Sequence, residues 1–492
     1  MLTRLKVDGF KNLVDVDVWF GPFTCIAGAN GVGKSNLFDA ITFLSALADR
    51  PLMDAALSVR DKGGRTGDVR SLFNHVGDEF AEEMSFEAEM IIPEKGLDDL
   101  AQEALASSTF VNYSIRLRYR REGDTQSLGA LEITHEQLSY MKRGEVSQHL
   151  RFKHSPAWRK SAILGRRWTP NYISTDPSRG VIKVHQDGGS SGKAQSLLAA
   201  NLPRTALSAA SAAESPTATL ARREMQSWRL LQLEPSALRE PDRFTAPVKL
   251  SSDGAHLPAT LYHLARTANG RRGRSDPADA DRVYSQVATT LSQLSDDVRG
   301  VKVDRDERRE LLTLYVTGRD GTSHAARALS DGTLRFLALA VLALDSQAEG
   351  TLCLEEPENG IHPTRIPSMI NLLEDLAIDV DAPLGPDNPL RQVIVNTHSP
   401  AVVMQVPEDS LLMAALLERT RRGQSFRSLD FRCLKGTWRH RADLMDPVSL
   451  GKLLAYLNPV VVNGEELEGS KAKRVVDRED FQQYRLFSET ST

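Results

Sequence analysis

Hydrophobic and polar positions alternate at the start of the chain, in LTRLKVDGF (2–10) and LVDVDVWF (13–20), and the apolar run Phe23 to Ala27 follows. Period two places alternate side chains on opposite faces, so the pattern predicts two half-buried strands and then a fully buried one. A glycine-rich turn comes next and opens a helix over Lys34 to Ala48. Residues 50–80, rich in glycine and charge, read as loop. Period two returns at 84–92, 111–121 and 128–134, which predicts an antiparallel meander. Helical stretches are expected near 215–233, where alanines lead into WRLLQL, and at 255–267 and 280–295. DGGSSGK (187–193) is the best linker candidate, and strands are expected at 299–304 and 309–316. LRFLALAVLAL (334–344) is apolar almost all round, as a buried helix is. Strand patterns TLCLE (351–355) and QVIVN (392–396) flank a helix near 364–377. That alternation predicts a parallel α/β core whose first strand and helix lie near the N-terminus, with a long insertion between its halves.

Composition narrows the class. The chain has 492 residues, about three domains' worth on the usual length prior, with 41% hydrophobic and 26% charged residues, which excludes a disordered chain. Lys and Arg number 61 against 65 Asp and Glu, so nucleic acid would have to be met by a local patch and not by the whole chain. Cys25, Cys353 and Cys433 are far apart with no C-x-x-C, which argues against a disulfide framework or zinc site and fits a reducing cytoplasm. The opening MLTRLKVDGF has no apolar signal core, and no run of 18 uncharged apolar residues occurs. The expectation is a cytoplasmic protein that makes no membrane contact.

The chemistry begins at Gly28-Ala29-Asn30-Gly31-Val32-Gly33-Lys34-Ser35, which fits G-x-x-x-x-G-K-[ST] after an apolar strand and at a helix start. Glycines let backbone N–H groups turn toward phosphate oxygens, and the helix N-terminus adds favourable potential. Lys34 would reach the β- and γ-phosphates of a nucleotide, and the Ser35 hydroxyl would bind Mg²⁺; the loop by itself does not separate kinase, GTPase and ATPase. Leu352 to Glu356 is an apolar strand ending in two acids. Hydrolysis of a nucleotide needs a Mg²⁺-directed carboxylate and a base that polarises water, roles that fall to Glu355 and Glu356. His398, after the strand QVIVN, sits where an imidazole would hydrogen-bond the γ-phosphate.

Four segments in order, GANGVGKS, LSDGT (329–333), LEEPENGIHP (354–363) and NTHSP (396–400), together with the opening GFKNL, resemble an ABC-type ATPase head of the RecF, SMC and OLD-like class. The resemblance implies an α/β P-loop head with a mixed sheet, an antiparallel β meander and an inserted, largely helical lobe. The expected division is 1–135 for the first part of the head, 136–298 for the lobe, 299–405 for the second part and 406–492 for a C-terminal extension. It further implies that Ser330 and the Gly332 amide of one protomer close on the γ-phosphate held by another, so that ATP and Mg²⁺ are sandwiched in a homodimer or higher assembly. LSDGT departs from the usual LSGGQ, and Glu355 replaces a more common Asp. No glutamine lies between Ser35 and Gln102, which leaves the family's Gln-loop contact unassigned, with Asn74 or His75 as substitutes or plain loop residues. Lys11 resembles a basic residue that approaches phosphate from the first hairpin, and reads equally as a surface lysine. A membrane-transporter subunit shares the motifs, but GFKNL, the long insertion and EEPENGIHP speak against it.

OLD-like nucleases add a metal-dependent TOPRIM domain, for which no E-G-x-x-[DE] start or Asp-x-Asp is found beyond His398. Any output activity is therefore expected on a separate effector protein, as in stand-alone ATPases of bacterial anti-phage systems. DNA is the other partner considered. The segment 149–168 carries six Lys/Arg with Phe152, Trp158 and Trp168, which suits phosphate contact with base stacking, or a solvated loop with its aromatics tucked inward. Arg116, Arg118 and Arg120 alternate along one strand face, and 419–441 holds eight basic residues with one acid, Asp430. A RecF-like clamp on DNA and an ATP-bound scaffold with little turnover remain rival readings.

Overall fold

The computed structural model describes residues 1–59, 68–120, 130–142, 144–165, 171–187, 194–267, 277–295 and 297–457. The period-two segments form an eight-stranded antiparallel sheet. Leu2–Asp8 lies between Val16–Trp19 and Glu83–Ile91, with Leu5 opposite both Val18 and Ala88. The sheet continues through Phe110–Arg120, Ala130–Tyr140, Ile173–Asp176, Val181–Val184 and Gln195–Leu198. Alternation decides its faces: Ile115 and Leu117 are buried while Arg116, Arg118 and Arg120 are exposed.

A second, six-stranded sheet holds the predicted core. Its order is Arg229–Leu231, Gly350–Glu355, Arg391–Thr397, Phe23–Ala27, Leu411–Arg421 and Gln424–Cys433. The first five strands run parallel and the last turns back antiparallel. Phe23–Ala27 and Arg391–Thr397 are buried along their whole length, as expected of strands covered on both faces. The helix Lys34–Leu47 packs toward the antiparallel sheet, and Phe43 on it meets Phe10 and Phe86 at ring-centroid distances of 5.9 and 5.7 Å. Val298–Asp306 and Leu311–Gly318 pair in a third, smaller sheet, as their spacing predicts.

Several expectations are corrected. WRLLQL does not prolong a helix: the helix Pro216–Gln226 stops, and Arg229–Leu231 pairs in parallel with Leu352–Leu354. A free sheet edge outweighs the local helix preference there. Residues 136–298 are not a largely helical lobe of their own, because Ile173–Asp176, Val181–Val184 and Gln195–Leu198 extend the antiparallel sheet and Arg229–Leu231 joins the core. Nor is 406–492 an appendage throughout. Leu411–Met413 pairs with Cys25–Ala27, so the chain beyond His398 supplies the neighbour of the P-loop strand. The span 50–80 is not all loop: it holds the helix Leu52–Ser58 and a short hairpin, His75–Val76 with Glu79–Phe80. Residues 188–193 of the linker candidate lie outside the described residues. The described chain divides after Val448, and of the unit that begins at Ser449 the helix Leu450–Leu457 is described. Among the described residues no helix is long and apolar enough to cross a membrane.

Two buried polar side chains lock the frame. Gln392, fully buried, accepts from Leu2 N (2.9 Å) and Thr351 Oγ1 (2.9 Å) and donates to the carbonyls of Leu2 (2.7 Å) and Gly21 (2.8 Å). One amide thus ties the antiparallel sheet to the core sheet with every position used. Beside it, Arg391 donates to the carbonyls of Leu342 (3.2 Å), Asp345 (2.6 Å) and Ala348 (2.5 Å), which satisfies the C-terminal end of the buried helix Asp331–Leu344. Replacing Gln392 by Leu keeps the volume and strands several buried partners, so the chain should lose about 3 kcal/mol of stability. Urea unfolding of the purified variant reads this, and an unchanged midpoint would contradict it.

Candidate active site

The loop between Phe23–Ala27 and Lys34–Leu47 is shaped by close approach. Gly28 lies under the next strand, where a Cβ would come 2.7 Å from the Ala414 carbonyl oxygen. Gly31 and Gly33 have φ of 78° and 99°, and a Cβ on Gly33 would overlap the Asn12 amide. Asn12 donates to the Val32 carbonyl (3.0 Å) and accepts from Asn36 (2.8 Å), so the first hairpin props the loop from outside. The sequence reading singled out Lys11 in that hairpin and missed Asn12. Lys11 itself forms an ion pair with Asp39 on the loop's helix at 2.7 Å. No side chain caps the helix Lys34–Leu47 and its first turn carries no acid, which leaves its positive end uncompensated. Lys34 is 7% exposed and donates to the carbonyls of Gly28 (2.7 Å) and Ala29 (3.0 Å). Burial lowers its pKa, and the charges of Glu356, Glu358 and Glu355 oppose that.

Those carboxylates come from the end of Gly350–Glu355 and the loop after it. Glu356 adopts φ 46°, unusual for a residue with a side chain, and its N–H donates to the Asn396 carbonyl at 3.0 Å. The carboxylate is held at both oxygens: Oε1 lies 2.6 Å from His398 Nδ1, and Oε2 accepts from Asn359 at 2.9 Å. Burial pushes the Glu356 carboxyl up, but these two bonds and the charges of His398 and Lys34 outweigh it and leave the group below its usual range. It is therefore an ionised acceptor at neutral pH, oriented by an imidazole. Glu358 is buried and takes a hydrogen bond from Thr397 Oγ1, and burial raises its carboxyl. Glu355 Oε1 and Glu358 Oε2 are buried without a partner.

The LSDGT turn meets the other side of the same loop. Ser330 caps the helix Asp331–Leu344, its Oγ accepting from Thr333 N at 3.2 Å. Gly332 packs so tightly on the Gly360 carbonyl that a Cβ would overlap it. Arg335 donates to the Asn359 carbonyl at 2.7 Å, and Arg239 pairs with Asp331 at 2.5 Å. The structure thus gathers the P-loop, Glu355, Glu356 and His398, while the hydrogen bonds of Ser330 stay within its own turn. Glu358, Asn359 and Asn396 also belong to the site. Their signal was present in EEPEN and NTHSP, but a motif reading takes one base and one histidine and passes over what holds them.

Comparison with known proteins now adds a family. Residues 23–101 and 143–404, more than half of the chain, match the family described as "AAA domain, putative AbiEii toxin, Type IV TA system". The chain belongs to this family. It is a P-loop ATPase-type domain, in agreement with the strand, glycine loop and helix at Phe23–Leu47. No curated protein matches the sequence. Among solved structures, the chain is similar to an SMC head bound to the C-terminal winged-helix domain of ScpA, at 13% identity and a TM-score of 0.43, over 88% of this chain and 98% of that one. A Pyrococcus furiosus SMC head with an extended coiled coil, bound to the ScpA C-terminal domain, gives 12%, 0.41, 88% and 96%. The Thermotoga maritima SMC head gives 13%, 0.36, 87% and 97%.

The basic segments of this AAA domain divide between exposed cations, among them Arg116, Arg118, Arg120, Arg151, Lys153 and Lys160, and groups taken up by the fold. Phe152 and Trp158 are buried, and Phe152 packs edge-on to Trp158 at 5.8 Å, so these two aromatics are core and not a stacking platform. Arg166, Arg167 and Trp168 lie outside the described residues. Arg419, Arg422, Arg427 and Arg432 pair with Asp15, Glu79, Glu418 and Asp430. Arg439 is fully buried and donates to the carbonyls of Trp19 and Asp409. Asn74 is buried and donates to the Lys11 carbonyl at 2.6 Å, so it supports the first hairpin.

The Glu356 network carries a prediction about pH. A depressed carboxyl stabilises the fold above its unfolded value of about 4.5, and that contribution is lost as pH falls through the lower folded value. His398→Ala removes one of the two bonds that hold the carboxylate, so the Glu356 titration should move upward. Carboxyl NMR reads the shift, and an unmoved titration would remove His398 as its partner.

Proposed function

We propose that this AAA domain binds and hydrolyses ATP, with Glu356 as the base. The observation that carries the reading is the ionised Glu356 carboxylate held between His398 and Asn359, within the electrostatic reach of Lys34. Gly28, Asn30, Gly31 and Gly33 present the backbone to the phosphates, and Lys34 and Ser35 receive them at the uncapped helix end. The donor set fits Mg²⁺ held together with nucleotide, through Ser35 and Glu355, because Glu355 Oε1 is buried without a partner. Among the described residues no group of three or more His, Cys, Asp or Glu could hold a metal alone, and a hard, strongly hydrated cation commonly relies on phosphate oxygens for the rest of its shell. Glu356 accepts the proton-bearing edge of the attacking water, and His398 Nδ1 keeps that carboxylate in place.

Ser330 and Gly332 suit closure by a second copy of the chain. Ser330 lies at the exposed start of a helix whose buried Gly332 packs on Gly360 and whose Arg335 bonds Asn359, both in the loop carrying the base. ATP-driven pairing of protomers would then report through the same loop to a separate effector protein. The family's description, which speaks of a toxin of a type IV TA system, supports a partner-controlled role, and anti-phage defence is the setting proposed for it. The burial of Phe152 and Trp158, which removes the aromatic half of a stacking platform, favours a protein trigger over DNA.

Steady-state ATP hydrolysis tests the reading. Glu356→Gln should keep nucleotide binding and lose about 100-fold or more of the turnover. Full turnover in that variant would remove Glu356 as the base, and negligible turnover in the wild type would leave the scaffold reading. Linear duplex DNA should change the rate little, whereas strong stimulation would favour a RecF-like clamp. Mixing a Lys34→Ala protomer with a Ser330→Arg protomer, each inactive alone, should restore about one working site per mixed dimer. No recovery at any ratio would exclude closure in trans.

A further inference from the structure

Glu358 has no part in positioning the attacking water, yet it keeps a buried oxygen without a partner. The side chain is 7% exposed. One oxygen takes the Thr397 hydroxyl, which itself accepts from Ser399 N at 2.9 Å, so this arm fixes the turn around His398. The other oxygen, Oε2, is buried without a partner, as is Oε1 of Glu355 three residues earlier. Propping the turn explains the first oxygen and leaves the second unexplained. A buried carboxylate oxygen with nothing to accept from is strongly disfavoured unless something enters to fill it.

Cations already present are committed elsewhere. Lys34 gives its hydrogen bonds to Gly28 and Ala29, and His398 Nδ1 is taken by Glu356. The charges of three carboxylates, Glu355, Glu356 and Glu358, therefore act on one ammonium, an excess of negative charge that a strongly hydrated divalent cation would relieve. Such a cation keeps several of its waters, and each bound water offers two strongly polarised O–H donors.

We propose that Glu358 is a cation-directed carboxylate of this site, which together with Glu355 accepts hydrogen bonds from the water shell of the divalent cation that enters with the nucleotide. The inference rests on the nucleotide reading above. It differs from a propping role in what it requires of charge. Glu358→Gln keeps an oxygen for Thr397 and removes the negative charge, whereas Thr397→Val keeps the charge and removes the bond.

The test uses the full chain, a non-hydrolysable ATP analogue and Mn²⁺ in place of Mg²⁺. Binding of a fluorescent form of the analogue is measured in chelator and then against added Mn²⁺, and the Mn²⁺ signal is followed by electron paramagnetic resonance. Glu358→Gln should bind metal-free analogue as well as the wild type or more tightly, because a charge repelling phosphate is gone. Its Mn²⁺ affinity in the nucleotide complex should fall about tenfold. Thr397→Val should change Mn²⁺ affinity less than Glu358→Gln does. Equal Mn²⁺ affinity in wild type and Glu358→Gln would overturn the inference while leaving the nucleotide reading standing. A parallel loss of metal-free and metal-coupled binding would assign Glu358 to propping alone. A wild-type chain that binds the analogue under neither condition would overturn the nucleotide reading, and this inference with it.

Discussion

The register that sets Thr397 beside Ala27 is the constraint on which the site depends. Parallel pairing of Arg391–Thr397 with Phe23–Ala27 and with Gly350–Glu355 brings the glycine loop, the paired acids and the histidine to the same end of one sheet. A slip of one residue would turn each side chain to the opposite face. Thr397 would then lose Glu358, and His398 would lose Glu356. Gln392 guards the register from inside, since its amide satisfies groups on Leu2, Gly21 and Thr351 together only at this alignment.

Electrostatics at that end are deliberately unbalanced. The charges of Glu355, Glu356 and Glu358 act on Lys34, and Glu356 and Glu358 respond differently because their hydrogen bonds and burial differ. Glu356 has two donors and stays below its usual pKa, while Glu358, with one bonded oxygen and deeper burial, is pushed up. Similar residues within three positions of one another thus acquire different chemistry from their surroundings. The same loop is a mechanical joint. Asn359 holds the Glu356 carboxylate with its side chain and takes Arg335 with its carbonyl, and Gly360 leaves no room between this loop and Gly332. The LSDGT turn thus touches the loop that orients Glu356 at two adjacent residues, Asn359 and Gly360.

Charge on the surface tells a different story from charge in the sequence. The run 419–441 looks like a basic stripe when read as a string, yet around the hairpin Leu411–Arg421 with Gln424–Cys433 four of its arginines lie beside acids from the hairpin itself and from distant segments, and Arg421 lies over the Phe426 ring. Arg439 shows the extreme case, a guanidinium wholly inside and satisfied by backbone carbonyls, with its pKa lowered by burial to about 9. Phe152 and Trp158 likewise went inward, since aromatic area gains more from burial than from waiting in solvent for a base.

The local pattern alone determined the elements that rest on local physics. Alternation marked the antiparallel strands, continuous apolar runs marked Phe23–Ala27 and Arg391–Thr397, and the glycine spacing marked the loop before Lys34, because side-chain period and backbone freedom act within a few residues. What lay beyond that range was settled by tertiary structure. Arg229–Leu231 within WRLLQL became a strand because an edge of the core sheet was there to receive it. Residues 411–433 joined the core because the P-loop strand had an open side. Asn12, Asn359 and Glu358 became part of the site through partners 20 to 40 positions away, or within the same loop, that no periodicity encodes. Composition can supply such residues, but only packing decides which of their polar atoms are satisfied and which are left open.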